Sequence, residues 1–111
     1  MREKVIGTEH IDTADTYNNI GLAHDDLGEH REALEWFRKA LTVCEKVLGT
    51  EHINTANSYN NIGNAHNGLG KHREALEWYR KALVIREKLL GKKHPKVMEL
   101  YNDIARLEAM N

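Results

Sequence analysis

The sequence predicts an all-α chain built as a stack of antiparallel helix hairpins. Three observations carry that expectation. Residues 2–43 align without a gap on residues 44–85, with 30 of the 42 positions identical. Self-similarity at a period of this size marks a repeat architecture. Glycines recur at Gly7, Gly28, Gly49, Gly70 and Gly91, and cut the chain into segments of about twenty residues, each with helical periodicity. A single proline and 30% charged residues suit a helix-rich chain with a solvated surface.

Taken in order, the expected helices lie near 9–26, 30–48, 51–68, 72–90 and 94–109. The first helix of each repeat carries Ala14, Tyr17, Gly21 and His24 at steps of 3, 4 and 3, flanked by Ile20 and Leu27. That is one apolar stripe. Gly21 and Gly63 fall in mid-helix, where glycine costs about 1 kcal/mol relative to alanine. A cost met twice points to close approach of another backbone. The second helix has two adjacent stripes: Leu34, Phe37, Leu41, Cys44 and Leu48, then Ala33, Trp36, Ala40, Val43 and Val47. A face that wide can touch both its own first helix and the next one, as a solenoid requires. Glu32, Glu35, Arg38 and Lys39 form a solvated strip, with Glu35–Lys39 spaced as an i,i+4 pair. Glycine just past a helix supplies the left-handed residue that ends it. Pro95 suits a first helical position, although Ile11 and Ile53 hold that column in the full repeats. A third copy begins at Arg86 as REKLLGKKHP and then drifts. The expected organisation is one domain over residues 1–111: repeat one at about 8–48, repeat two at about 50–90, and a capping helix at about 94–110. The opening REKVIG matches the tail of a second helix whose hairpin partner is missing. The chain therefore reads as a window from a longer array or an engineered piece.

The stretch HDDLGEH at 24–30 holds acid–base and metal-ligand chemistry within seven residues. Its second copy reads HNGLGKH, so both aspartates are lost and Glu29 becomes Lys71. His24 and His30 are six apart across a turn, which is not a chelating spacing on a helix. The histidines read as scaffold, and no catalytic residue, metal site or cofactor is expected. The 16 Lys+Arg and 17 Asp+Glu give a net charge of -1, without the basic face of a nucleic-acid binder. No apolar run is long enough to span a membrane. The N-terminus lacks a signal peptide's apolar core, and Cys44 stands alone. A cytoplasmic protein is expected.

Tyr17…Ile20-Gly21…Ala33…Phe37…Ala40, recurring as Tyr59…Ile62-Gly63…Ala75…Tyr79…Ala82, resembles the tetratricopeptide repeat. The 42-residue spacing and the joint Leu90-Gly91…His94-Pro95 are similar to the longer-helix variety of kinesin light chains. The resemblance covers nearly the whole chain and implies a right-handed stack. It also implies a non-enzymatic scaffold or adaptor that binds a peptide or partner helix in a concave groove lined by the first helices. Histidine stands at 24, 66, 30 and 72 in columns where the family often has an aromatic. Ala105 and Glu108 stand in the glycine and histidine columns, which fits a terminal helix.

By that resemblance the groove residues are Asp15, Asn18, Leu22 and Asp25, then Asn57, Asn60, Asn64 and Asn67, then Asn102 and Arg106, with Glu99 beside them. Asparagine both donates and accepts, so a ladder of Asn18, Asn60 and Asn102 suits a peptide backbone. The competing reading has these asparagines bonding neighbouring helices or water. Asn19 and Asn61 are expected to pack between repeats. Repeat one carries 5 positive and 9 negative residues, repeat two a net of +1 and the remainder +2. The acidic end should attract a basic ligand segment and the other end an acidic one. None of the groove residues is lysine, which disfavours the family's chaperone-tail binding. Trp36 and Trp78 are expected to pack between hairpins, and Cys44 to be an inert filler. Stacking should bring Glu108 near His66 and raise its pKa above that of His24. The alternative function is a structural spacer, or a solenoid that associates end to end through its terminal helices.

Overall fold

The computed structural model describes residues 11–110, and the reading of Gly7 and of residues 1–10 lies outside them. Five helices follow one another: α1 (Ile11–Asp26), α2 (His30–Leu48), α3 (Ile53–Gly68), α4 (His72–Leu90) and α5 (Pro95–Met110). No strand occurs among the described residues. α1 packs on α2 and α3 on α4 as hairpins, α2 on α3 and α4 on α5 as joints between them. The body is elongated, 51 × 32 × 18 Å, as expected where each hairpin meets only its neighbours.

The hairpin turns are chemically the same in both repeats. Gly28 and Gly70 adopt φ of +82° and +79°, a region open to glycine without steric cost. The reversal lets Glu29 N donate to His24 O at 2.8 Å and Lys71 N to His66 O at 2.9 Å. These bonds satisfy carbonyls that the helix end would otherwise leave unpaired. Helix α3 begins later than the periodicity suggests, α5 begins at Pro95 as the proline suggests, and a histidine stands before each start. His52 Nδ1 accepts from Asn54 N, and His94 Nδ1 from Lys96 N, both at 3.1 Å. The imidazole acts as an N-cap, a role usually taken by Ser, Thr, Asp or Asn.

Both stripes of the second helices are used. Ala33, Leu34, Phe37, Ala40, Leu41, Val43 and Cys44 of α2 are all buried. Phe37 and Leu41 join Tyr59 and Ile62 of α3, Tyr79 and Ile85 of α4, and Leu100, Ile104 and Leu107 of α5 in one continuous core. A smaller cluster of Ala14, Ala40, Val43 and Cys44 lies under Tyr17. The mid-helix glycines meet an aromatic ring more than a backbone. A Cβ on Gly21 would lie 2.5 Å from Phe37 Cε1, and one on Gly63 2.7 Å from Tyr79 Cδ1 and 3.3 Å from the Ala75 carbonyl.

The tryptophans correct an expectation. Trp36 stacks on Tyr17 and Trp78 on Tyr59, each with centroids 5.7 Å apart. Both pairs lie within one hairpin, not between hairpins. Lys39 Nζ sits 4.5 Å over Trp36, and Lys81 Nζ 4.9 Å over Trp78. Adjacent hairpins are instead tied by tyrosine. Tyr59 Oη donates to Glu45 at 3.1 Å, and Tyr101 Oη donates to Glu87. Burial and that carboxylate push the Tyr59 pKa up to about 12. Thr55 Oγ1 adds a bond to the Gly49 carbonyl at 2.7 Å.

Candidate functional site

The ten expected groove residues lie on α1, α3 and α5, and they are in different states. On α1, Asp15 is exposed, Asn18 is half-buried and Leu22 is 41% exposed. On α3, Asn57, Asn60, Asn64 and Asn67 are all half-buried. On α5, Asn102 and Arg106 are exposed.

Five of the ten side chains bond groups on another helix, and Arg106 pairs with Asp103 of its own helix at 2.8 Å. Asn18 Oδ1 accepts from Asn61 Nδ2 at 3.4 Å, so Asn61 does bridge the repeats. Asn64 Oδ1 accepts from Tyr79 Oη at 2.6 Å. That phenol is buried, and its pKa is pushed up to about 12 mainly by desolvation, with Asp103 adding to it. Asp25 Oδ1 and Asn67 Oδ1 meet the Nδ1 of His30 and His72 at 2.6 and 2.9 Å. Asn57 Oδ1 accepts from Arg86 Nη2 at 2.9 Å. Among the described residues, Asn60 and Asn102 have no side-chain hydrogen-bond partner.

The histidine-rich turn resolves into clips. His24 Nδ1 meets Glu29 Oε1 at 2.6 Å, separately from the His30–Asp25 pair. Each imidazole faces one carboxylate across the α1–α2 turn. Among the described residues, no group of three His, Cys, Asp or Glu side chains stands together to hold a metal ion. The ring of His30 also lies against α3, where a Cβ on Gly68 would be 2.5 Å from its Nδ1. Gly68 replaces Asp26 of repeat one, and this contact explains why repeat two needs a glycine there.

His66 departs from expectation. It is buried, and its Nδ1 has no partner among the described residues. Burial lowers its pKa, with Arg38 and Lys71 acting in the same direction and Glu74 opposing them. Glu108, expected to raise it, is held by Arg80 Nη2 at 2.5 Å. Glu108 is not among the charges that act on His66; its carboxylate faces a permanent, forked cation instead.

Sequence reasoning missed Arg86. It aligns with Cys44, and in α4 it is 5% exposed. Besides the bond to Asn57, its Nε is buried with no partner. Desolvation lowers its pKa, with Glu99 opposing. The signal was present in the repeat alignment: a cation occupying the column of a buried thiol. Cys44 itself packs on Ser58, whose Oγ is 3.8 Å from the sulfur. Burial raises its pKa, the Ser58 hydrogen bond opposes this and Asp15 adds to the rise.

Comparison with known proteins supplies a family. The model described as tetratricopeptide repeat matches residues 1–46, 12–88 and 65–111. No curated protein matches the chain. Among solved structures, BtubC (BKLC) from P. vanneervenii is similar at a TM-score of 0.81 with 24% identity, covering 87% of this chain and 38% of that one. A Podosopora anserina protein named for a kinesin light chain, with nearly identical TPR-like repeats, gives 0.79 and 23%, covering 93% of this chain and 49% of that one. A point variant of the same Podosopora anserina protein gives the same values. The likeness is one of fold, and this chain spans less than half the length of either protein.

Proposed function

Since the chain belongs to the tetratricopeptide repeat family, whose members are generally protein-interaction scaffolds, we propose that it binds an extended peptide or a partner helix along the polar edges of α1, α3 and α5. The observation that carries this is the unused hydrogen-bonding capacity at Asn60 and Asn102. Asn60 keeps the identity of Asn18 in repeat two and Asn102 keeps it in a third repeat that has otherwise drifted, yet neither bonds the scaffold. An amide that donates and accepts can pair with any main chain, which suits a partner held in extended form. The role is non-enzymatic, and the family carries it through contact surfaces.

A display-selected peptide titrated into isotope-labelled protein tests this. The expected result is amide-side-chain shifts concentrated at Asn18, Asn60, Asn64 and Asn102. Shifts concentrated around Trp36, Lys39, Trp78 and Lys81 would move the binding face to the second helices and refute the groove.

The second reading, a self-associating spacer, draws on the exposed Met98 and Met110 of α5. The repeat's own geometry opposes end-to-end growth there. Ala105 carries a Cβ in the column where Gly63 makes room for Tyr79. Another aromatic second helix would therefore collide with α5. Sedimentation velocity across a concentration series distinguishes the readings, and a monomer throughout supports the binding module.

A further inference from the structure

We propose that the paired columns Asp15/Cys44 and Asn57/Arg86, with Glu99, read the charge pattern of the bound segment: an acidic side chain seats at Asn57 and Arg86, and basic side chains flank it at Asp15 and Glu99. This rests on the groove reading above and makes the ligand's sign alternate from one repeat to the next.

The starting point is the chemistry of Arg86. A guanidinium only donates, so its bond to Asn57 settles which way that amide faces. Oδ1 is turned inward to Nη2 at 2.9 Å. The Nδ2 group, with two N–H donors, is left for a partner. Amide orientation is ordinarily ambiguous, but a donor-only neighbour removes the ambiguity. The second observation is that Arg86 is nearly buried and its Nε has no partner. Among the described residues no carboxylate stands within ion-pair distance of it. Glu99 of α5 acts on it only through space, and Glu99 is itself exposed and solvated. A buried cation without an anion is an unfavourable arrangement, which an incoming carboxylate offsets. Asn57 and Arg86 together present N–H donors and positive charge, with the Asn57 oxygen already engaged.

Repeat one has the opposite character at the same columns. Cys44 replaces the guanidinium with a neutral, buried thiol. Asp15 replaces Asn57 with an exposed carboxylate. On α5 the column holds Glu99. Along the groove the sequence is therefore anion, donor-plus-cation, anion, spaced by one repeat. A segment lying across α1, α3 and α5 meets them in turn. Its complement is an acidic residue between basic ones, and the mirror pattern faces like charge at each position.

The experiment selects a random-peptide display library on the full chain and on the double variant Asn57→Asp/Arg86→Cys. That variant installs in repeat two the pair that repeat one already accommodates. Peptides from the wild type should carry Asp or Glu flanked by Lys or Arg. Peptides from the variant should lose the acidic residue. The best wild-type peptide should weaken at least ~10-fold by fluorescence anisotropy when its acidic residue becomes the amide. That last arm uses unaltered protein, so it holds even if the double variant fails to fold. Captured peptides without acidic enrichment, or an amide analogue that binds equally well, overturn the charge-reading proposal and leave the groove standing. Failure to capture any peptide overturns the groove reading and this proposal with it.

Discussion

Gly63→Ala places a single methyl group where the structure has no room, and its effect follows from two opposed terms. Alanine in a helix interior is favoured over glycine by about 1 kcal/mol. Against this, the new Cβ lies 2.7 Å from both Cδ1 and Cε1 of Tyr79. That ring is 2% exposed and its hydroxyl is bonded to Asn64, so it has neither space nor freedom to withdraw. Overpacking of a filled core costs ~1–3 kcal/mol. The net expectation is a destabilisation of up to ~2 kcal/mol. The decisive measurement is the same substitution in a Tyr79→Leu background, where the ring is gone. There the propensity term acts with far less opposition, and Gly63→Ala should stabilise. Urea unfolding followed by helical circular dichroism on the four proteins gives the coupling directly, since propensity cancels in the cycle. The expected coupling is ~1–3 kcal/mol. Equal effects of Gly63→Ala in both backgrounds would refute the ring-contact account of this glycine.

Three further outcomes are expected. His52→Ala should cost ~1 kcal/mol by removing the α3 N-cap, and His52→Asn should restore most of it, both read as urea midpoints. In an ultraviolet titration, Tyr59 and Tyr79 should ionise only near pH 12. A phenol whose pKa is raised by folding contributes stability below its ordinary value near 10, and that contribution is lost as pH rises from about 10 towards 12. An ordinary midpoint for all four tyrosines would show that neither is held by the core. His66, with a lowered pKa, has the opposite dependence: folding is favoured above the ordinary imidazole value near 6.5, and stability falls as acid charges the unfolded state. His66→Gln should flatten the acid limb of stability against pH, and an unchanged slope would place that proton uptake elsewhere.

The helices are legible because the chain states each of them twice. Periodicity, the glycines and the repeat all point to the same segments, and such agreement is what makes a fold readable. The two N-caps are hidden because imidazole is an unusual capping group, so the start of α3 carries none of the usual signals. The tryptophans escape for a different reason. A wide apolar stripe says that a side chain is covered, but not by which neighbour, and Tyr17 and Tyr59 reach Trp36 and Trp78 only through the crossing of helices within a hairpin. The His66–Glu108 pairing does not form. Column alignment says which positions correspond from repeat to repeat, and it is blind to Arg80 on α4, which holds the Glu108 carboxylate.

The identities and the differences between the repeats have separate physical meanings. Many positions that pack are held from copy to copy: the alanines where helices touch, the glycine under each aromatic ring, and the tyrosine column that ties hairpins at Tyr59 and Tyr101. The differences fall partly in the core, at Phe37/Tyr79, Val43/Ile85 and Cys44/Arg86, and partly on the polar edge. Asp15, Leu22 and Asp25 become Asn57, Asn64 and Asn67, and each asparagine is turned by a donor or an imidazole of the next helix. Tyr79 has the hydroxyl that Phe37 lacks and donates it to Asn64. Arg86 has the charge that Cys44 lacks and directs one donor to Asn57. At Asn57 and Asn64 the changes on the first helix are thus matched by changes on the second and give bonds that repeat one does not make, whereas Asn67–His72 repeats the Asp25–His30 contact. A surface left to drift in solvent would need no such matching. Orienting a row of amides restricts side chains that solvent would otherwise leave free, and that restriction lowers the entropy cost of receiving a partner. Repeat two is on this argument the more preorganised half of the proposed groove, and repeat one the half whose exposed Asp15 acts at longer range.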